Sequence, residues 1–194
     1  YAKTVERCGP FVDGFVINVS SPNTPNLREL QKDEDLARII EAVQVHSGDK
    51  PVLVKIAPDL EDIQVKSIVD TARGLGCAGI VATNTTTSRP DDSPLMSETG
   101  GLSGKPLKSR STEVIRLIAD HTDGNWPIIG VGGISNAEDA WEKITNGACL
   151  VQIYSSMVFN GASVVKEIVS GLDRKLKSKG LVRIEQAIGI ARGD

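Results

Sequence analysis

The chain has 194 residues, 40% of them hydrophobic and 24% charged, which is ordinary for a globular protein with one sizeable core. A formal net charge of -3 and an aromatic content of 4% argue against nucleic acid as a partner. No run of roughly eighteen apolar residues exists, and Tyr1 to Glu6 lacks the apolar centre of a secretory peptide.

Taken in order, Gly14 to Val19 reads as a first strand, stopped by the polar cluster Asn18-Val19-Ser20-Ser21-Pro22-Asn23-Thr24. Pro22 cannot continue a ladder and biases Ser21 towards an extended backbone. The same stretch also reads as a plain Ser/Asn/Pro turn. Asp33-Glu34-Asp35 opens a helix carrying Leu36, Ile39, Ile40 and Val43, and acids suit a helix N-terminus. Val52 to Ile56 is a second strand, apolar except for Lys55 and ended by Ala57-Pro58-Asp59. A helix with Ile63, Ile68, Val69 and Ala72 follows, then a third strand from Gly79 to Thr83 ending at Asn84.

A connection of about 25 residues runs from Asn84 to Arg110, and loops of that length inside a domain are usually functional. Ser111 or a neighbour is expected to cap the next helix, with Val114, Ile115, Leu117 and Ile118 on its apolar face. Pro127 to Val131 is the fourth strand and runs into Gly132-Gly133. Ser135-Asn136-Ala137-Glu138 reads as a capping box for a helix with Trp141 and Ile144. Ala148 to Ile153 is the fifth strand, followed by Tyr154-Ser155, and a last helix spans about Ser163 to Lys177.

Short apolar strands alternating with amphipathic helices imply parallel βα units in one domain. The polar and glycine-rich residues fall just after strand C-termini, the ligand face of parallel α/β folds. Five units would suffice for a doubly wound sheet. A barrel is favoured because no Gly-x-Gly-x-x-Gly follows the first strand, while glycines and hydroxyls sit after the last two, where barrels hold phosphate.

Several residues invite chemistry. Lys55 lies mid-strand among apolar neighbours, so its ammonium needs an anionic partner or a shifted pKa. A flavin, negatively charged near N1 when reduced, is one suitable ligand; a lysine snorkelling from an edge strand is the alternative. Gly100-Gly101-Leu102-Ser103-Gly104 and Gly130-Val131-Gly132-Gly133 can bring bare N–H groups to a phosphate, or simply make tight turns. Cys8, Cys77 and Cys149 are far apart and read as reduced cysteines of an intracellular protein. His46 and His121 fall near helix ends without partners at ligand spacing, so no metal site is expected.

Five motifs in order now become specific. Asn18 to Thr24, Leu53-Val54-Lys55-Ile56-Ala57-Pro58-Asp59-Leu60, Thr83-Asn84-Thr85-Thr86, Ser97 to Leu107 and Ile128 to Gly133 closely resemble the class 2, quinone-reducing dihydroorotate dehydrogenase family. The resemblance runs over essentially the whole chain and implies an FMN-binding (β/α)8 TIM barrel oxidising dihydroorotate to orotate in pyrimidine (UMP) synthesis. It implies ubiquinone as electron acceptor and a mitochondrial inner-membrane location through an N-terminal segment absent here.

Carried over by motif, Ser21 matches the catalytic base, with Thr24 a neighbour in its proton relay. Asn18, Asn23, Asn84 and Thr85 match substrate-binding residues. Asn18, Lys55, Thr83, Ser103, Gly104, Gly132, Gly133, Tyr154 and Ser155 match cofactor-binding positions. Serine rather than cysteine at the base position distinguishes class 2 from the soluble classes, and from FMN-barrel oxidoreductases acting on dihydropyrimidines or dihydrouridine. Residues 1–194 are then expected to be the C-terminal portion of a single barrel domain with about five βα units, leaving an open sheet edge and exposed apolar faces. Alone, such a fragment would be catalytically incomplete.

Overall fold

The computed structural model describes residues 1–90 and 97–193. Positions 91–96, part of the long connection read from Asn84 to Arg110, lie outside the described residues. Five strands form one all-parallel sheet: β1 (Phe15–Asn18), β2 (Val52–Ile56), β3 (Gly79–Ala82), β4 (Ile128–Val131) and β5 (Leu150–Gln152). Their spatial order is simply β1-β2-β3-β4-β5. The connecting helices are α2 (Asp33–Ser47), α3 (Asp62–Gly74), α4 (Lys108–His121) and α5 (Ala137–Thr145). The chain begins with α1 (Ala2–Cys8) and continues beyond β5 into α6 (Ser155–Asn160) and α7 (Ser163–Ser178).

Sequential order decides between the two architectures. A doubly wound sheet reverses direction at a switch point and carries helices on both faces. Here each crossover steps to the next strand in sequence, and α2, α3 and α4 pack into one core with the sheet, which is how a barrel is built. The five units are a sector of a (β/α)8 barrel.

Alternation along the strands then sorts their side chains. Ile17, Val52, Val54, Ile56, Ile80 and Ile128 are buried against α2, α3 and α4 in one core that also takes Leu36, Ile40, Val65, Ile68, Ile115 and Ile118. Fully burying each of these branched side chains is worth about 1.5–3 kcal/mol. The opposite residues face the concave side of the sheet. Pairing aligns Asn18 with Lys55, Lys55 with Val81, Val81 with Ile129 and Ile129 with Leu150 along one row of that side. Val16 and Leu150 lie there exposed, Leu150 at 61%, so the expected uncovered apolar face is present. Lys55 belongs to an inner strand of this sheet, which removes the edge-strand alternative.

Two helix starts differ from their sequence reading. A 3-10 turn at Lys105–Leu107 runs directly into α4, so the helix begins at Lys108 without a side-chain cap. Ser111 lies one turn inside it and donates instead to the Val131 carbonyl (2.6 Å). The α5 box is offset by one residue from the expected Ser135–Glu138 frame. Asn136 Oδ1 accepts from Asp139 N–H, and the Asp139 carboxylate accepts from Ser135 N–H, each at 3.0 Å. The short α1 and α6 carry too few periodic residues to register in the sequence.

Candidate active site

The C-terminal ends of the strands surround a cleft of about 410 Å³. Lys55, Thr83, Asn84, Thr85, Ser103, Gly104, Gly132, Gly133, Tyr154 and Ser155 all line it. Ten of the residues read from the sequence, drawn from the loops after β3, β4 and β5 and from strand β2, are thus brought together. A larger groove of about 720 Å³ lies outside it between Asp59, Thr87 and Arg110. It is open, and Arg110 is occupied there by the Pro58 and Leu60 carbonyls and by Asp62. The chemistry read from the sequence belongs to the smaller cleft.

At one end sits an amide and hydroxyl cluster. Asn84 Nδ2 donates to Asn18 Oδ1 (3.2 Å) and to Ser20 Oγ (3.0 Å), and Ser20 Oγ donates to Asn18 Oδ1 (3.0 Å). Asn84 Oδ1 accepts from Thr85 N–H (2.8 Å). Ser20 is fully buried and was not among the residues read as functional; it is the internal strut joining Asn18 to Asn84. The amides are therefore oriented before any ligand arrives. Thr83 is buried and donates to the Asn84 carbonyl (3.0 Å).

Asn18, Ser21, Asn23 and Thr24 do not line the cleft; Asn18 reaches it through its hydrogen bond from the lining residue Asn84. Ser21 Oγ accepts from Asn23 N–H (3.3 Å), and the Thr24 carbonyl accepts from Leu27 N–H (3.3 Å). Asn23 meets the glycine loop, where a methyl added at Gly100 would stand 3.0 Å from Asn23 Oδ1. Gly101 is packed more tightly, since a side chain there would overlap Thr85 Oγ1 and lie 2.8 Å from Pro22 Cγ. Bare glycine at both positions lets the loop close against Pro22–Asn23 and Thr85. An antiparallel bridge between Thr86 and Leu102 holds it.

Lys55 projects into the middle of the cleft beside Asn18. Burial pushes its pKa down, and among the described residues no carboxylate pairs with it. A half-buried ammonium without a counter-charge is a receptor for an anionic ligand.

The far end is made of backbone and hydroxyls. Gly132 (φ +124°) and Gly133 (φ +69°) take conformations that L side chains rarely adopt. A methyl at Gly133 would stand 2.6 Å from Lys108 Cα, so the turn lies directly on the first residue of α4. Ser103 Oγ and Ser155 Oγ pair at 2.8 Å across the opening. Behind them Ser156 Oγ is buried without a hydrogen-bond partner. Left-handed glycines, paired hydroxyls and a helix start suit a phosphate group.

Two further residues brace this end. Lys108 Nζ pairs with Asp139 (2.6 Å) and Glu142 (2.8 Å), and those hydrogen bonds raise its pKa to about 12. Lys143 is completely buried and donates to the Lys108 carbonyl (2.7 Å) and Thr112 Oγ1 (2.6 Å). His121, without a ligand-spaced partner in the sequence, meets Asp70 at 2.8 Å across two helices. Among the described residues no group of three His, Cys, Asp or Glu side chains gathers to hold a metal.

Fold and site together define an α/β-barrel protein with a preorganised amide cluster, a lone cation and a phosphate-type turn along one cleft. A profile of the dihydroorotate dehydrogenase family matches residues 1–176. Proteins named dihydroorotate dehydrogenase (quinone) are similar. That of Trichodesmium erythraeum is 47% identical over 199 residues, covering 97% of this chain and 52% of the relative. That of Halobacterium salinarum is 49% identical over 191 residues, covering 97% and 54%. Among solved structures, the ligand-free DHODH of Eimeria tenella superposes with a TM-score of 0.92 at 37% identity, over 98% of this chain and 59% of that one. The chain belongs to the dihydroorotate dehydrogenase family. It spans about half the length of the curated relatives it matches.

The mitochondrial location implied by the resemblance is overturned. Similar relatives come from cyanobacteria and an archaeon, which have no mitochondria. Among the described residues no helix is long and apolar enough to cross a membrane.

Proposed function

We propose that residues 1–194 are the C-terminal portion of a single FMN-binding barrel domain that oxidises (S)-dihydroorotate to orotate and passes the electrons to a quinone, in pyrimidine biosynthesis. The observation that carries this is the cleft that brings Asn84, held by Asn18 and Ser20, together with Lys55 and the Gly132–Gly133 turn. A phosphorylated ring cofactor fits it: Ser156 Oγ is buried without a partner beside the paired Ser103 and Ser155 hydroxyls, and Lys55 lacks a counter-charge.

Lys55 and Thr83 would lie against the flavin ring, with Ser103, Gly104, Gly132, Gly133, Tyr154 and Ser155 around its ribityl phosphate. Bound there, FMN supplies the two-electron acceptor for the hydride leaving C6 of the substrate. Asn18, Asn23, Asn84 and Thr85 grip the substrate's carboxylate and ring amides, and such a site rejects analogues lacking those groups. Ser21 takes the C5 proton and hands it on through Thr24. Serine is a weak base at its free pKa, so its competence depends on that relay and on position.

The test is anaerobic bleaching of the FMN-loaded protein by dihydroorotate, made with whatever native sequence adjoins these residues. Ser21→Ala should keep FMN bound and slow bleaching by about 10²–10⁴-fold at neutral pH. Fast bleaching by the variant removes Ser21 as the base, and no bleaching of the loaded wild type removes dihydroorotate as the substrate.

A further inference from the structure

Arg28, on the 3-10 turn Leu27–Gln31 that follows the β1 loop, ties three strand-end loops together. Its Nε donates to the Ser20 carbonyl (3.0 Å), Nη2 to the Thr85 carbonyl (2.9 Å), and Nη1 to Asp59 Oδ2 (2.7 Å). The three acceptors belong to the loops after β1, β3 and β2. Asp59 is itself held by Thr86 Oγ1, by Thr87 N–H (3.0 Å) and by Thr87 Oγ1 (3.2 Å). Burial pushes its pKa up, but the Thr86, Thr87 and Arg28 hydrogen bonds outweigh that and hold the carboxyl below the usual range. The same turn is pinned again where buried Gln31 accepts from Ala57 N–H (3.0 Å).

Two of these bonds bear directly on the amide end of the cleft. The Ser20 carbonyl lies in the peptide plane that carries Ser21 N, so fixing it fixes where Ser21 stands. The Thr85 carbonyl lies next to Asn84 and Thr85. We propose that Arg28 is a positioning residue whose guanidinium sets the placement of Ser21 relative to Asn84 and Thr85, with Asp59 as the anchor that aims it. The inference rests on the dihydroorotate reading given above. Arg28 touches no residue lining the phosphate end, so its influence falls on substrate chemistry and spares cofactor retention. A planar fork is required: a lysine ammonium is a point charge and cannot span three acceptors lying in different directions.

The experiment compares Arg28→Ala, Arg28→Lys and Asp59→Asn in the FMN-loaded protein, reading FMN per chain and the single-turnover rate of flavin reduction at saturating dihydroorotate. The expected result is unchanged FMN content with a fall of about 10- to 100-fold in rate for both arginine variants, the size of effect that a misplacement of about 1 Å brings. Added guanidinium ion at millimolar concentration should restore part of the Arg28→Ala rate and none of the Arg28→Lys rate, an outcome that general destabilisation cannot produce. Asp59→Asn leaves Arg28 its two carbonyls and should lose a smaller factor; it keeps the test open should Arg28→Ala not fold. Rates per bound FMN within twofold of wild type, or losses that merely follow lost FMN, overturn the proposal. Failure of the loaded wild type to be reduced strikes the underlying reading first, and is seen before any variant is made.

Discussion

Replacing Lys143 by methionine should remove a pH dependence of stability above neutrality. The side chain is 0% exposed, and desolvation lowers its pKa to about 8, an effect deepened by Lys108 and opposed by Glu142 and Asp139. An unfolded lysine titrates near ~10.4. Between those values the unfolded chain holds a proton that the folded chain has released, so stability rises with pH across that window. The penalty is fully present below about pH 8 and fades as the pH approaches ~10.4; with the folded value of about 8 it amounts to about 3 kcal/mol near neutrality. Roughly 2 kcal/mol of this should be recovered by about pH 9.5. Methionine has similar length and no charge. The acceptors it leaves behind already satisfy one another, since Thr112 Oγ1 donates to the Lys108 carbonyl at 3.1 Å. Urea unfolding near neutral pH should therefore find Lys143→Met within about 1 kcal/mol of wild type, or above it. At about pH 9.5 wild type should have gained roughly 2 kcal/mol relative to the variant. Parallel stability curves for the two proteins across that range would refute the buried, desolvated lysine.

Other substitutions probe separate parts of the site. Gly101→Ala places a methyl against Thr85 Oγ1 and Pro22 Cγ, so the glycine loop must back away. A loss of about 1–3 kcal/mol in thermal unfolding is expected, together with weaker dihydroorotate binding in a titration of the FMN-loaded protein. Cys77 is buried, and desolvation raises its thiol pKa to about 11. A thiol reagent at mildly alkaline pH should label exposed Cys8 in the folded protein and reach Cys77 only on unfolding, which peptide mapping would resolve.

Much of this architecture was readable because βα units are local. Each strand is a short apolar run ending in a glycine, proline or polar cluster, and each long helix shows its buried face as a 3.6-residue repeat. Ile68, Val69 and Ala72 on α3 illustrate it, whereas Ile63, read with them, is exposed and Val65 takes its place on the buried face. Positions of the cleft residues followed from one rule, that parallel strands deliver their ligands at their C-terminal ends. What escaped the reading was whatever depends on distant pairing. Ser20 looked like one more hydroxyl in a turn, yet its partner Asn84 is 64 residues away. Arg28 and Asp59 are 31 residues apart and show no local pattern. A faint signal did exist: Arg28 has no acid at three or four residues in either direction, so its partner had to come from elsewhere. Ser111 misled for a related reason. A serine near a helix start usually caps it, but the preceding 3-10 turn already carries the chain into the helix, freeing the hydroxyl for β4.

The simple strand order also governs how the sheet comes apart. Among the described residues each strand hydrogen-bonds to its immediate predecessor and successor, so within these five units opening can advance one unit at a time, as in a stacked repeat. Within these five units β3 is the best protected, its four residues all buried between two paired neighbours. Lys55 and Thr83 sit on or beside that durable centre. Asn18 and Tyr154 belong to the units on either side, so the floor of the cleft rests on the most protected backbone and its walls on the flanking units.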